Sequence, residues 1–151
     1  MTHTDHPQVK VPAPLIYFLA NAGGALLEWA VPWSVRVPRW VGAALILLGI
    51  GFALWAVKSL AQAHTHVDPA KPTTALVDTG PYRISRNPIY VAMTLSSVGM
   101  TLLLQTLWIG ILIIPVIWIM NRYVILPEEQ YLLVKFGAAY AAYCKRVRRW
   151  L

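Results

Sequence analysis

NPIYVAMTLSSVGMTLLLQTLWIGILIIPVIWIMN, residues 87–121, is a run of 35 residues without one charged side chain, and its reading decides the fold. A helix rises about 1.5 Å per residue, so roughly 20 residues cross the hydrocarbon core of a bilayer. The run is too long for one crossing and just long enough for two. It predicts spans over 87–104 and 107–126, joined by a tight turn at Gln105-Thr106. Pro115 falls inside the second of these, where a missing amide donor and a ring clash predict a bend that neighbouring helices absorb.

Moving toward the N-terminus, residues 40–57 give 18 uncharged positions between Arg39 and Lys58, a third span. Residues 15–33 give a fourth, interrupted by Asn21 and Glu28 and closed by Pro32, with Ala20, Gly23 and Gly24 offering a small surface for close helix contact. Hydrophobic residues make up 58% of the 151-residue chain and charged ones 13%, against about 25% in ordinary soluble domains. The expected architecture is all-α: a single integral-membrane domain over 1–151, with four transmembrane helices and an interfacial helix after them. Pro12 and Pro14 interrupt the run that follows Lys10, so no cleaved signal peptide is expected and the first helix stays in the protein.

An even number of spans puts both termini and the 58–88 connection on one side. That side carries Lys10, Lys58, Lys71, Arg83, Arg86, Arg122, Lys135, Lys145, Arg146, Arg148 and Arg149, whereas the other carries only Arg36 and Arg39. The imbalance predicts cytoplasmic termini, at the inner membrane if the protein is bacterial. Cys144 is the single cysteine, which excludes an intramolecular disulfide and a thiolate metal cluster. His64, His66 and Asp68 lie in a proline- and threonine-rich connection that reads as an ordered interfacial loop; with no further ligand nearby, no metal is expected.

Two polar, aromatic-rich segments flank the opening run, and topology places both on the cytoplasmic face. The first, GPYRISRNPIY at 80–90, begins with a Gly-Pro turn and ends with Asn87-Pro88, a cap and first helical residue. On local physics it is a helix start whose arginines reach lipid phosphates. The second begins at Pro127 and reads as an interfacial helix, with Glu128 and Glu129 against the positive helix end and Gly137 breaking it in two. Its final KRVRRWL, 145–151, suits anionic headgroups. Two adjacent carboxylates beside such lipids need cationic partners, and Arg83, Arg86, Arg122 or a cationic cofactor are the choices.

GPYRISRNPIY, followed one helical hairpin later by PEEQYLLVKFGAAYAAYCKRVRRWL, resembles the paired signature of the isoprenylcysteine carboxyl methyltransferase and phospholipid methyltransferase superfamily, over about residues 66–151. The resemblance implies methyl transfer from S-adenosyl-L-methionine, without a Rossmann domain, to a lipophilic, prenylated or lipid acceptor reaching the site from the bilayer. By the resemblance Tyr82, Arg86, Asn87 and Tyr90, with Glu128 and Glu129, match the segments that build the family's cofactor site. Arg83 beside them is a further cofactor-binding candidate, and on the chemistry of a carboxylate acceptor Arg86 or Arg122 would be the catalytic positive clamp. Many relatives carry histidine where this chain has Asn87, and an amide cannot take up a proton near neutral pH, which excludes a general base there. A carboxylate acceptor needs no base, whereas an amine would need one, for which His64, His66 and the two glutamates are the candidates. The residues lean slightly toward an isoprenylcysteine-like acid over a phospholipid amine.

Two rivals keep the hydropathy pattern. A four-span, proton-coupled multidrug-type transporter would use Glu28 as its site, because ionisable residues inside spans are usually functional. Against it, Glu28 lies about 20 Å along the first helix, near the far interface and water. A membrane sterol reductase would share a similar C-terminal region, but this chain is short for that class. No nucleic-acid partner is expected.

Overall fold

In a computed structural model, residues 12–66 and 71–151 are described. The chain forms α1 (Ala13–Ala30), α2 (Arg39–Gln62), a short 3-10 turn (Gly80–Arg83), α3 (Pro88–Leu103), α4 (Leu107–Ile119), a wide π-helical turn (Met120–Ile125), α5 (Leu126–Phe136) and α6 (Ala138–Arg146). Among the described residues there is no β-strand, only one isolated bridge between Ser34 and Thr106. Asp68 lies outside them.

The tight turn falls where the uncharged run predicts it. Gln105 takes φ +57° between α3 and α4, its carbonyl accepts from the Val35 amide at 3.0 Å, and its side chain donates to the Val37 carbonyl at 3.2 Å. α5 begins at Leu126 with Pro127, Glu128 and Glu129 in its first turn and ends before Gly137, where the sequence predicts a new helix and its break. It follows α4 without a gap, so that the helical run Leu107–Phe136 is 30 residues, longer than the roughly 20 needed to cross, and its last part extends past the apolar segment. α4 is continuous through Pro115, and the irregular turn comes later, at Met120–Ile125, just before Pro127. There the Leu126 amide reaches back five residues to the Asn121 carbonyl. The extra residue in that turn shifts the register, and Pro127, which has no amide to donate, follows inside the first turn of α5.

Small residues let the helices touch. A Cβ on Gly99 of α3 would sit 2.7 Å from Ile46 Cγ1 and 2.8 Å from the Gly42 carbonyl; one on Gly42 would run into the Leu103 backbone, and one on Gly49 into Ser96. α1 meets α4 in the same manner: a Cβ on Gly24 would lie 2.8 Å from Ile109 Cα. Hydrogen bonds between α1 and α3 add to this contact, from the Tyr17 hydroxyl to Thr94 Oγ1 at 2.7 Å and from Asn21 Nδ2 to Ser97 Oγ at 3.0 Å. Ala13 and Tyr17 of α1 pack with Val116 of α4 and with Met120, Val124 and Ile125 into one buried cluster.

α2 and the Leu107–Phe136 run are each long and apolar enough to cross a membrane. Only 17% of the most apolar window of α2 is buried, and Leu47, Leu48 and Leu54 project outward, which a soluble core helix would not tolerate. α3, at 16 residues, is apolar but shorter, and α1, at 18 residues, is long enough but carries Asn21 and Glu28 and does not reach the same apolar standard. Glu28 accepts the Trp33 amide through both carboxylate oxygens at 3.1 Å, so it is used in turning the chain after α1.

Candidate active site

The stretch before α3 is shaped by two local devices. Gly80 takes φ +57°, a conformation that favours glycine, and packs so closely on the end of α2 that a Cβ would lie 2.6 Å from Ser59 Oγ. Ser85 is fully buried and holds the next turn, accepting the Asn87 amide at 3.0 Å and donating to the Arg149 carbonyl at 3.2 Å. α3 begins at Pro88 as read, yet the Asn87 side chain does not cap it. It donates instead to the Arg149 carbonyl at 3.0 Å.

The first turn of α5 brings Glu128 and Glu129 against this stretch. The Tyr90 hydroxyl donates to Glu128 Oε1 at 2.7 Å, and Arg86 Nη2 lies 3.1 Å from Glu129 Oε1. Arg149 grips the same carboxylate from the other side, Nε to Oε1 at 3.1 Å and Nη2 to Oε2 at 2.6 Å. Arg86 also donates to Cys144 Sγ, while its Nε is buried without an acceptor. A buried donor left unpaired is costly, and here it follows from turning the Nη atoms of Arg86 toward Glu129 and Cys144.

The cavity is about 390 Å³. Tyr82, Arg86, Asn87, Tyr90, Glu128 and Glu129 all line it, so six of the residues read from sequence share one wall. Arg83 and Arg122 do not: both are exposed and off the cavity, Arg122 because the π-helical turn faces it outward. Tyr131, Tyr140 and Tyr143 line it as well, with Pro12, Ala13, Pro14, Ile89 and Met93 forming an apolar side. His66, Thr73 and Leu76 of the connection after α2 also line it, and the Thr73 amide donates to the Tyr131 hydroxyl at 3.2 Å. Sequence reasoning missed Arg149, Tyr140 and Tyr143. The tyrosines carried a signal in their helical spacing beside the glutamates; a single arginine in a basic run carried none.

Burial raises the Glu128 carboxyl to about 7; the bond from Tyr90 opposes this and the neighbouring Glu129 charge adds to it. Tyr82 and Tyr143 are also pushed upward, chiefly by burial, and so remain protonated donors. Tyr143 uses its hydroxyl on the Tyr82 carbonyl at 2.7 Å, joining α6 to the 80–83 turn. The site therefore offers two carboxylates, one guanidinium and several aromatic side chains.

The sequence profile of the phospholipid methyltransferase family matches residues 37–139, from the start of α2 into α6. The chain belongs to that family. A Haemophilus influenzae protein described as uncharacterized is 38% identical over 65 residues, 42% of this chain and 100% of its own length. No solved structure matches. Membership makes this a chain of a methyltransferase family with lipid-related chemistry in a membrane, and the transporter reading built on Glu28 finds no support.

Proposed function

We propose that the protein is an S-adenosyl-L-methionine-dependent methyltransferase acting on a lipid acceptor, with residues 1–151 working as one four-span membrane domain and the site at the cytoplasmic face. The observation that carries this reading is the closure of Tyr90 on Glu128 and of Arg86 on Glu129 around one cavity. α1 and α3, about 27 and 24 Å long at ~1.5 Å per residue, are short for a hydrocarbon core of about 30 Å, a mismatch that local thinning of the bilayer would meet. The eleven-to-two distribution of basic residues supports the orientation.

The residues fit the cofactor. A cavity of about 390 Å³ falls in the usual range for small-molecule sites, and the Arg86 guanidinium on its lining suits the donor's carboxylate. Glu129 would receive an ammonium or ribose hydroxyl, and the rings of Tyr82 and Tyr90 favour a cation beside them. S-adenosyl-L-methionine supplies a methyl group activated on a sulfonium. The protein's own part is alignment and the exclusion of water, which the apolar lining of Pro12, Pro14, Leu76, Ile89 and Met93 would favour.

The acceptor would approach sideways along Pro12–Pro14, Ile89 and Met93. A carboxylate acceptor would need an uncommitted positive clamp at the cavity, but Arg122 stands off it and Arg86 is engaged with Glu129. Glu128, with its carboxyl near 7, is instead suited to take a proton from an amine headgroup. We therefore favour the amine acceptor over the isoprenylcysteine-like acid. Incubating the protein with membrane lipid and methyl-labelled cofactor tests both points. Label that survives mild alkali is expected; label released as methanol would mark an ester and reverse the choice, and no incorporation would end the reading.

A further inference from the structure

After α6 the chain turns extended at Val147 and runs back across the Ser85–Asn87 turn. The Arg148 carbonyl accepts the Arg86 amide at 2.9 Å, and the Arg149 carbonyl accepts both Ser85 Oγ and Asn87 Nδ2. On the far side, Trp150 Nε1 donates to Asn121 Oδ1 at 3.1 Å, and the indole packs on the buried cluster shared by α1, α4 and the π-helical turn. Residues 148–150 are thus anchored at both ends, and between the anchors the Arg149 side chain makes its two-pronged contact with Glu129. An arginine serving only lipid phosphates would need none of these bonds.

Arg149 itself is not on the cavity wall, while Glu129 is. An ionised carboxylate has about four acceptor positions. Arg86 Nη2 and Arg149 Nε share Oε1 and Arg149 Nη2 takes one position on Oε2, which leaves Oε2 one more. We propose that Arg149 is a positioning residue of the methyl-donor site, carried by the 148–150 strap to the back of Glu129, where its planar fork fixes the carboxylate so that this last position serves the donor's cationic or hydroxyl group. Asn87 is the latch of the strap. Arg149 lies beyond the residues that the family profile matches. The inference rests on the donor site proposed above.

A double-mutant cycle tests it, reading S-adenosyl-L-methionine affinity by calorimetry on the full chain in detergent. Glu129→Gln and Arg149→Ala are each expected to weaken binding tenfold or more, and Arg149→Ala to cost nothing further in the Glu129→Gln background. Arg149→Lys, which keeps the charge but loses the fork, should recover part of the affinity. Arg149→Met, which keeps the stem, should match Arg149→Ala, so that a loss of packing is not mistaken for a loss of the ion pair. Wild-type affinity in both Arg149→Ala and Arg149→Met, or an equal loss in both Glu129 backgrounds, overturns the role of Arg149 and leaves the donor site standing. Wild-type affinity in Glu129→Gln itself removes the donor site, and this inference with it.

Discussion

The Tyr90 hydroxyl donates to Glu128 Oε1 at 2.7 Å, joining residues 38 apart in sequence and making one wall of the first turns of α3 and α5. A hydrogen bond to a charged or partly charged group contributes about 1.5–3 kcal/mol, more than a neutral pair. Tyr90→Phe keeps the ring and removes only that bond. Turnover in a methyl-transfer assay is expected to fall about tenfold or more, and the thermal midpoint in detergent to drop by several degrees.

Glu128 sets a pH dependence whose sign is fixed by burial. Its carboxyl is raised from 4.5 to about 7 in the folded chain, so between those values the native state holds more protons than the unfolded one. This contribution to stability is therefore present in acid and is lost as pH rises toward 7. Turnover should move oppositely, rising through about 7 as Glu128 becomes able to accept a proton, and Glu128→Gln should abolish that rise. A pH–rate profile beside a pH series of thermal melts reads both effects.

The α2–α3 contact depends on missing side chains. A Cβ at Gly99 would meet Ile46 at 2.7 Å and the Gly42 carbonyl at 2.8 Å, where backbone cannot yield cheaply. Gly99→Val should destabilise the protein by about 1–3 kcal/mol or more, the usual cost of overpacking. Gly51→Ala, on the same α2 but with open space around it, should not. Thermal melting of the two variants separates a packing requirement from a general intolerance of change.

Glu28 accepts the Trp33 amide at the opposite end of α1 from the cavity. Glu28→Gln retains an acceptor for that amide and should leave methyl transfer within about twofold of wild type, with a stability change under about 1 kcal/mol. A collapse of activity in this variant would return Glu28 to the centre of the function.

Much of this site was legible because two kinds of signal survive in a single sequence. Uncharged length gave the hairpin and its turn at Gln105, and residue type gave the polar wall of Tyr82, Arg86, Asn87, Tyr90, Glu128 and Glu129. What failed depended on rotation about a helix axis or on long-range hydrogen bonds. The π-helical turn at Met120–Ile125 faces Arg122 outward, and nothing in the residue order announces one extra residue per turn. Asn87 looks like a helix cap by position, yet its amide is claimed by the Arg149 carbonyl 62 residues away. Arg149 sits in a run where every cation reads as a headgroup contact, and what distinguishes it is its fork on Glu129 and the bonds its carbonyl accepts from Ser85 and Asn87, all made across long stretches of chain.

Two stretches of one chain enclosing a methyl donor beside the bilayer is the claim on which the function stands. Calorimetric titration of the purified protein with S-adenosyl-L-methionine, repeated on Arg86→Ala, Glu129→Ala and Glu28→Ala, tests it most directly. Wild type and Glu28→Ala should bind alike, and the other two should bind at least tenfold more weakly. Equal affinity across all four proteins, or no binding to any of them, would contradict it.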